Sequence, residues 1–206
     1  MAEQYYIRLY MIISINPQNP QQRLVDMVIE ALDNGGIIAY PTDTFYGIGC
    51  DLYNKKGIQL IHKLKKRSLK EPFSIICDSL KEISRYAQVS NYAFKTMKRL
   101  LPGPYTFILE GTKLVPKIML TKQKTVGIRV PDNNICLNIV RTLRRPIITT
   151  SAEVDNPYLI QDAYPSHLEF IIDGGSLKPS PSSVISLVGD IPEIIREGKG
   201  DVSDFL

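Results

Sequence analysis

Tryptophan is absent from the 206 residues, histidine occurs twice and cysteine three times. Cys50, Cys77 and Cys136 are an odd number with no C-x-x-C spacing, which excludes a disulfide scaffold and a thiolate zinc site. His62 and His167 stand alone, so no H-E-x-x-H motif exists and a Ser-His-Asp triad would have to recruit one of them. A G-x-S-x-G elbow and a G-x-x-x-x-G-K-[ST] loop are missing too. Gly47-Ile48-Gly49 lacks the third glycine of a dinucleotide-binding turn. No apolar run approaches the ~20 residues of a membrane helix. The opening residues 1–7 contain an acid, no basic cluster and no apolar signal core. The expectation is a cytoplasmic protein with reduced thiols, no membrane contact and no dedicated metal site.

What is present is ordinary in bulk and uneven in detail. A hydrophobic content of 44% and a charged content of 22% fit a soluble globular chain, and the length fits a single domain over 1–206. Within the net charge of +4, the stretch 52–70 holds Lys55, Lys56, Lys63, Lys65, Lys66, Arg67 and Lys70 and no acid. The remainder is mildly acidic. One basic patch on such a body reads either as a local site for phosphate, carboxylate or nucleic acid, or as a solvated helix end.

Strand and helix patterns alternate along the chain, predicting a mixed α/β sheet. Strands are expected at 5–15, 37–40, 73–77, 105–109, 125–130, 147–150, 170–172 and 184–188. Helices are expected at 17–33, 54–67, 93–101 and 135–143, the first stopped by Gly35-Gly36 and the third by Pro102-Gly103-Pro104. Residues 41–49 read as a loop.

Polar segments stand just beyond several of these strands, where open sheets bind ligands. They are Pro41-Thr42-Asp43-Thr44, Lys65-Lys66-Arg67-Ser68, Pro102-Gly103-Pro104-Tyr105-Thr106, Thr125-Val126-Gly127-Ile128-Arg129, Thr149-Thr150-Ser151-Ala152, Ser182-Ser183-Val184 and Arg196-Glu197-Gly198. Singly, each matches turn and cap chemistry. In this order, together with Gly-Gly-Ile-Ile-Ala-Tyr before Pro41, they closely resemble the YrdC/YciO family from about Asn16 to the C-terminus.

That resemblance implies a twisted α/β sheet with flanking helices and a concave, positively charged groove. It implies an L-threonylcarbamoyladenylate synthase activity joining L-threonine, bicarbonate and ATP with release of pyrophosphate, for N6-threonylcarbamoyl modification of tRNA adenosine. ATP is then a substrate accompanied by Mg²⁺, and no tightly bound cofactor is expected. A second reading, from members described as binding double-stranded RNA, makes the chain a translation-associated factor that holds tRNA or double-stranded RNA on the Lys55, Lys56, Lys63, Lys66 and Lys70 patch without turnover.

Carried over residue by residue, the resemblance assigns Thr42, Arg129 and Ser182 to threonine, with Arg129 on its carboxylate. It assigns Lys65, Arg67, Thr125, Thr149, Ser151 and Arg196 to the nucleotide, with Ser182 and Arg196 closing the two ligands together. No covalent nucleophile is required, because the amino acid and bicarbonate supply one. Four positions depart from the synthase pattern and are more similar to the YciO branch: Asp43 for Glu, Ser68 for Pro, Ser183 for Thr and Glu153 for Asn. A carboxylate at 153 is expected to oppose bound phosphates.

Overall fold

The computed structural model describes residues 11–164 and 167–206. The expected strand segment 5–10 lies outside them. The strands are β1 (Met11–Ser14), β2 (Ile38–Tyr40), β3 (Gly47–Gly49), β4 (Ser74–Ile76), β5 (Tyr105–Glu110), β6 (Thr125–Arg129), β7 (Ile147–Ser151), β8 (Phe170–Asp173), β9 (Ser183–Ser186) and β10 (Glu193–Arg196). The helices are α1 (Gln22–Asp33), α2 (Lys55–Leu64), α3 (Leu80–Tyr86), α4 (Asn91–Leu100), α5 (Asn134–Leu143) and α6 (Pro157–Ala163).

The strands form one mixed sheet in the order β1-β8-β2-β3-β7-β4-β6-β5-β9-β10. The pairs β1–β8, β2–β8, β4–β6 and β5–β9 run parallel and the others antiparallel. Side-chain alternation along each strand divides the core between two faces. Ile38, Tyr40, Ile76 and Ile147 pack with Val25, Val28 and Leu32 of α1 and Ile135, Ile139 and Leu143 of α5. Their neighbours Ala39, Ile75 and Ile148 pack with Ile58 and Ile61 of α2, Ile83 of α3, Met97 of α4 and Ile160 of α6.

Asparagine and serine set most of the helix starts. Asn54, Ser79, Ser90, Asn133 and Asn156 each accept a backbone N–H of the first turn. The segment 17–21 is not helical as expected: Asn16 Oδ1 accepts from the N–H groups of Gln18 and Asn19, and α1 begins at Gln22. Helix α2 stops at Leu64 rather than 67, and Lys66 takes a positive φ of 50° that turns the chain out of the helix.

Residues 47–49 correct the loop expectation. They are a strand, β3, inserted between β2 and β7. Glycine is required there because a Cβ on Gly49 would lie 2.1 Å from the Ile148 carbonyl oxygen, and one on Gly47 would lie 2.9 Å from the Tyr40 ring. Strand β9 ends at Ser186, two residues short of the expected limit. Helices α3 and α6, seven residues each, and the largely exposed strand β10 carry too few apolar repeats to show as periodicity.

Candidate functional site: a cationic cavity on the sheet

The face covered by α1 and α5 continues along the sheet as the floor of a cavity of about 640 Å³. Ser74 of β4, Thr106 and Ile108 of β5, Thr125, Gly127 and Arg129 of β6, and Thr149 and Ser151 of β7 all line it. Ser182 and Val184 of the β9 segment and Arg196 of β10 complete that side. Residues of the opposite parity, such as Phe107, Val126, Ile128 and Ile185, are buried in the core beneath. Alternation thus puts small polar side chains on one surface and apolar ones on the other.

Arg129 is a buried cation of the site. Its Nη2 donates to Asp43 Oδ1 at 2.8 Å and to Thr44 Oγ1 at 3.0 Å, while its buried Nε has no hydrogen-bond partner. A strand cation flanked by apolar neighbours usually faces water; here it is buried because Asp43 reaches it from the turn after β2. Asp43 Oδ2 accepts in addition from the N–H of Asp132. Thr42 is also buried, but its hydroxyl is used within the turn, donating to the Phe45 carbonyl at 2.6 Å and accepting from the Thr44 N–H. Thr44 and Phe45 line the cavity, whereas Thr42 stands behind them.

Arg196 donates to the Ser182 carbonyl from both Nε and Nη2, at 3.1 and 2.9 Å, and to Ser182 Oγ at 3.2 Å. Ser182 Oγ in turn contacts Thr106 Oγ1 at 2.9 Å. Partial burial, reinforced by the neighbouring Arg129 charge, lowers the Arg196 pKa from the usual arginine value.

Helix α2 delivers the other two cations. Lys65, at its C-terminal cap, donates to Tyr164 Oη at 3.1 Å and lies 3.4 Å from Glu153 Oε1. Arg67 sits 5.3 Å over the Phe73 ring and pairs with Glu71 at 3.3 Å. Phe73 stacks on buried His62, with ring centroids 4.1 Å apart. Thr125 shares a 2.7 Å hydrogen bond with Thr121, and Ser151 Oγ accepts from the Glu153 N–H.

The cavity therefore gathers Lys65, Arg67, Thr125, Arg129, Thr149, Ser151, Ser182 and Arg196 from the sequence-derived set, and leaves Thr42 one residue layer back. It also divides the acid-free stretch. Lys63, Lys66 and Lys70 are exposed and do not line the cavity, and Lys55 and Lys56 occupy the first turn of α2 at its far end. Ser74 and Thr121 line the cavity without belonging to any motif; strand parity alone points to Ser74. Asp43, which holds Arg129, stood in the first polar segment without an assigned ligand role, and Lys199, whose Nζ donates to the Asp43 carbonyl, lies just beyond the last one.

All three thiols are buried and burial pushes each thiol pKa upward, so none is a thiolate nucleophile. Among the described residues, no three His, Cys, Asp or Glu side chains gather as a metal site. Among them, too, no helix is long and apolar enough to cross a membrane.

The fold and cavity define a mixed-sheet protein with a cleft lined by four cationic side chains. Comparison with known proteins narrows this class. The Sua5/YciO/YrdC family, described as Telomere recombination, matches residues 30–198. The uncharacterized protein YciO of Escherichia coli is 40% identical over 200 residues, 93% of this chain and 97% of its own. The YciO crystal structure superposes with a TM-score of 0.91, covering 96% of this chain and all of that one. A Methanocaldococcus jannaschii protein, provisionally named threonylcarbamoyl-AMP synthase, is 33% identical over 91% of this chain and 92% of its own. The structure of P. abyssi Sua5 complexed with L-threonine matches at 25% identity and a TM-score of 0.87, over 94% of this chain and 59% of that one. The chain belongs to the Sua5/YciO/YrdC family, which includes threonylcarbamoyl-AMP synthases.

Proposed function

We propose that this chain forms threonylcarbamoyl-AMP and pyrophosphate from L-threonine, bicarbonate and ATP, for threonylcarbamoyl modification of tRNA. The observation that carries the reading is the Arg129 guanidinium: buried, tethered through Nη2 by Asp43 and Thr44, and with its buried Nε unpartnered. A ligand carboxylate entering the cavity meets the charge of this guanidinium, and a small turn of the side chain brings the unpartnered Nε to it. The relative solved with L-threonine and those named as synthases supply an amino acid and a reaction of the right chemistry.

In this reading Arg129 holds the threonine carboxylate, and Thr44 takes the contact expected of Thr42. The threonine amine adds to bicarbonate with loss of water, giving a carbamate. A carbamate oxygen then attacks the α-phosphorus of ATP; the bond from that phosphorus to the bridging oxygen breaks, and pyrophosphate leaves. The nucleophile comes from the substrates, so the protein's work is alignment and charge stabilisation. Lys65 and Arg67 face the phosphates, Thr125, Thr149 and Ser151 bound the nucleotide, and Arg196 on Ser182 lies between the two ligands. Mg²⁺ enters as the companion of the triphosphate, held by phosphate oxygens.

The test is pyrophosphate release from ATP with L-threonine and bicarbonate present, and with each omitted. Release that requires both is expected. Release indifferent to threonine, or none under any condition, overturns the reading.

A further inference from the structure

After Arg196 the chain doubles back over β9 as a short strap. The Lys199 N–H donates to the Pro181 carbonyl at 2.8 Å, the Gly198 N–H donates to Ser183 Oγ at 3.0 Å, and Ser183 Oγ donates to the Gly200 carbonyl at 2.5 Å. The backbone is seated too tightly for larger residues beside Lys199. A Cβ on Gly198 would lie 2.4 Å from the Pro181 carbonyl oxygen, and one on Gly200 would lie 2.4 Å from the Tyr105 ring. Lys199 is therefore fixed at its backbone, and its side chain leaves the strap toward the opposite wall.

There Lys199 Nζ donates to the main-chain carbonyl of Asp43 at 2.6 Å, across 156 residues of sequence. It takes the carbonyl and leaves the Asp43 carboxylate free. One carboxylate oxygen holds Arg129 Nη2 and the other accepts from the Asp132 N–H. The contacts run in series from the strap beside β5 and β9, through the turn between β2 and β3, to the guanidinium on β6. A charged donor on a rigid base is suited to fixing a turn, because the ordering of its long side chain is offset by a charge-assisted bond.

We propose that Lys199 is a positioning residue for the amino-acid end of the cavity. It clasps the Asp43 turn so that the carboxylate grips Arg129 by Nη2 and holds the guanidinium in place at the cavity wall for the ligand. This rests on the functional reading above for its ligand, though not for the clasp itself.

The test compares wild type with Lys199→Met, which keeps the length and loses the donor, and Lys199→Arg, which keeps the charge. In pyrophosphate-release kinetics, Lys199→Met raises the KM for L-threonine about three- to tenfold, with kcat and the KM for ATP within about twofold, and Lys199→Arg recovers most of the loss. In ligand-free protein, amide exchange at Thr44 and Tyr46 quickens about tenfold in Lys199→Met while β5 and β6 are unchanged. Unaltered exchange at Thr44 and Tyr46, or a threonine KM equal to wild type, overturns the proposal. A wild type that releases no pyrophosphate with threonine overturns the functional reading instead, and the exchange comparison then decides the clasp.

Discussion

Arg129 and Asp43 are 86 residues apart and form an ion pair of 2.8 Å in which the side chains are 11% and 7% exposed. The pair uses one terminal nitrogen of the guanidinium and leaves the buried Nε unsatisfied. A lysine at 129 has a single nitrogen, which can serve Asp43 or a ligand carboxylate but cannot fork between them. Arg129→Lys is expected to weaken L-threonine binding about tenfold or more, on the order of 1.4 kcal/mol, by titration calorimetry. Equal affinity of the two proteins would remove Arg129 from the amino-acid site.

Gly127 lies between Thr125 and Arg129 on the cavity floor. Its backbone is ordinary, but a Cβ there would approach Ser74 Oγ to 2.6 Å and Thr106 Cγ2 to 3.3 Å. The Ser74 hydroxyl can swing aside, so the strand tolerates the methyl group while the floor rises into the cavity. Gly127→Ala is expected to leave the melting temperature within about 3 °C and to raise the KM for ATP roughly tenfold. Loss of both stability and ATP binding would mark the glycine as a packing residue.

How much of this was legible in the sequence depends on the range of the interaction. Alternation on β6 put Thr125, Gly127 and Arg129 on one side, and regular apolar spacing located α2 and α5. Burial of Arg129 was not legible, because the acid that permits it arrives from a turn on another strand. Nor was the strand at 47–49. Glycines read locally as a loop, and only contact with Tyr40 and Ile148 makes them a strand requirement. The run 52–70 looked like one basic patch, yet an α-helix separates its ends and turns only Lys65 and Arg67 into the cavity.

His62 is 2% exposed, stacked on Phe73, and has neither ring nitrogen hydrogen-bonded. Burial, with the neighbouring Arg67 charge second, lowers its pKa below the usual histidine value. The unfolded chain then binds the proton more readily, with a pKa of about 6.5. The stability associated with neutral His62 is present above about pH 6.5 and is lost as the pH falls toward the lowered folded value. His62→Phe keeps the stack and removes the titration. Between pH 7 and 5, wild type is expected to lose roughly 2–4 °C more in melting temperature than His62→Phe. Equal losses of melting temperature in the two proteins would show that His62 titrates alike in the folded and unfolded states.

Glu153 stands at the rim of the cavity with φ at +61°, a left-handed conformation that asparagine adopts more readily than glutamate. Its carboxylate lies 3.4 Å from Lys65 Nζ, and Lys65 is also bound to Tyr164. In the proposed reaction, phosphate oxygens and Glu153 therefore compete for one ammonium group. The carboxylate is 74% exposed, so solvent screening keeps the competition modest. Glu153→Asn removes the competing charge and eases the backbone, leaving Lys65 on Tyr164 and available to phosphate. The expected result is a KM for ATP lowered about two- to tenfold with no loss of melting temperature, and an advantage that shrinks as salt is raised. Unchanged ATP affinity at low salt would mean that Glu153 points away from the phosphates when the nucleotide is bound.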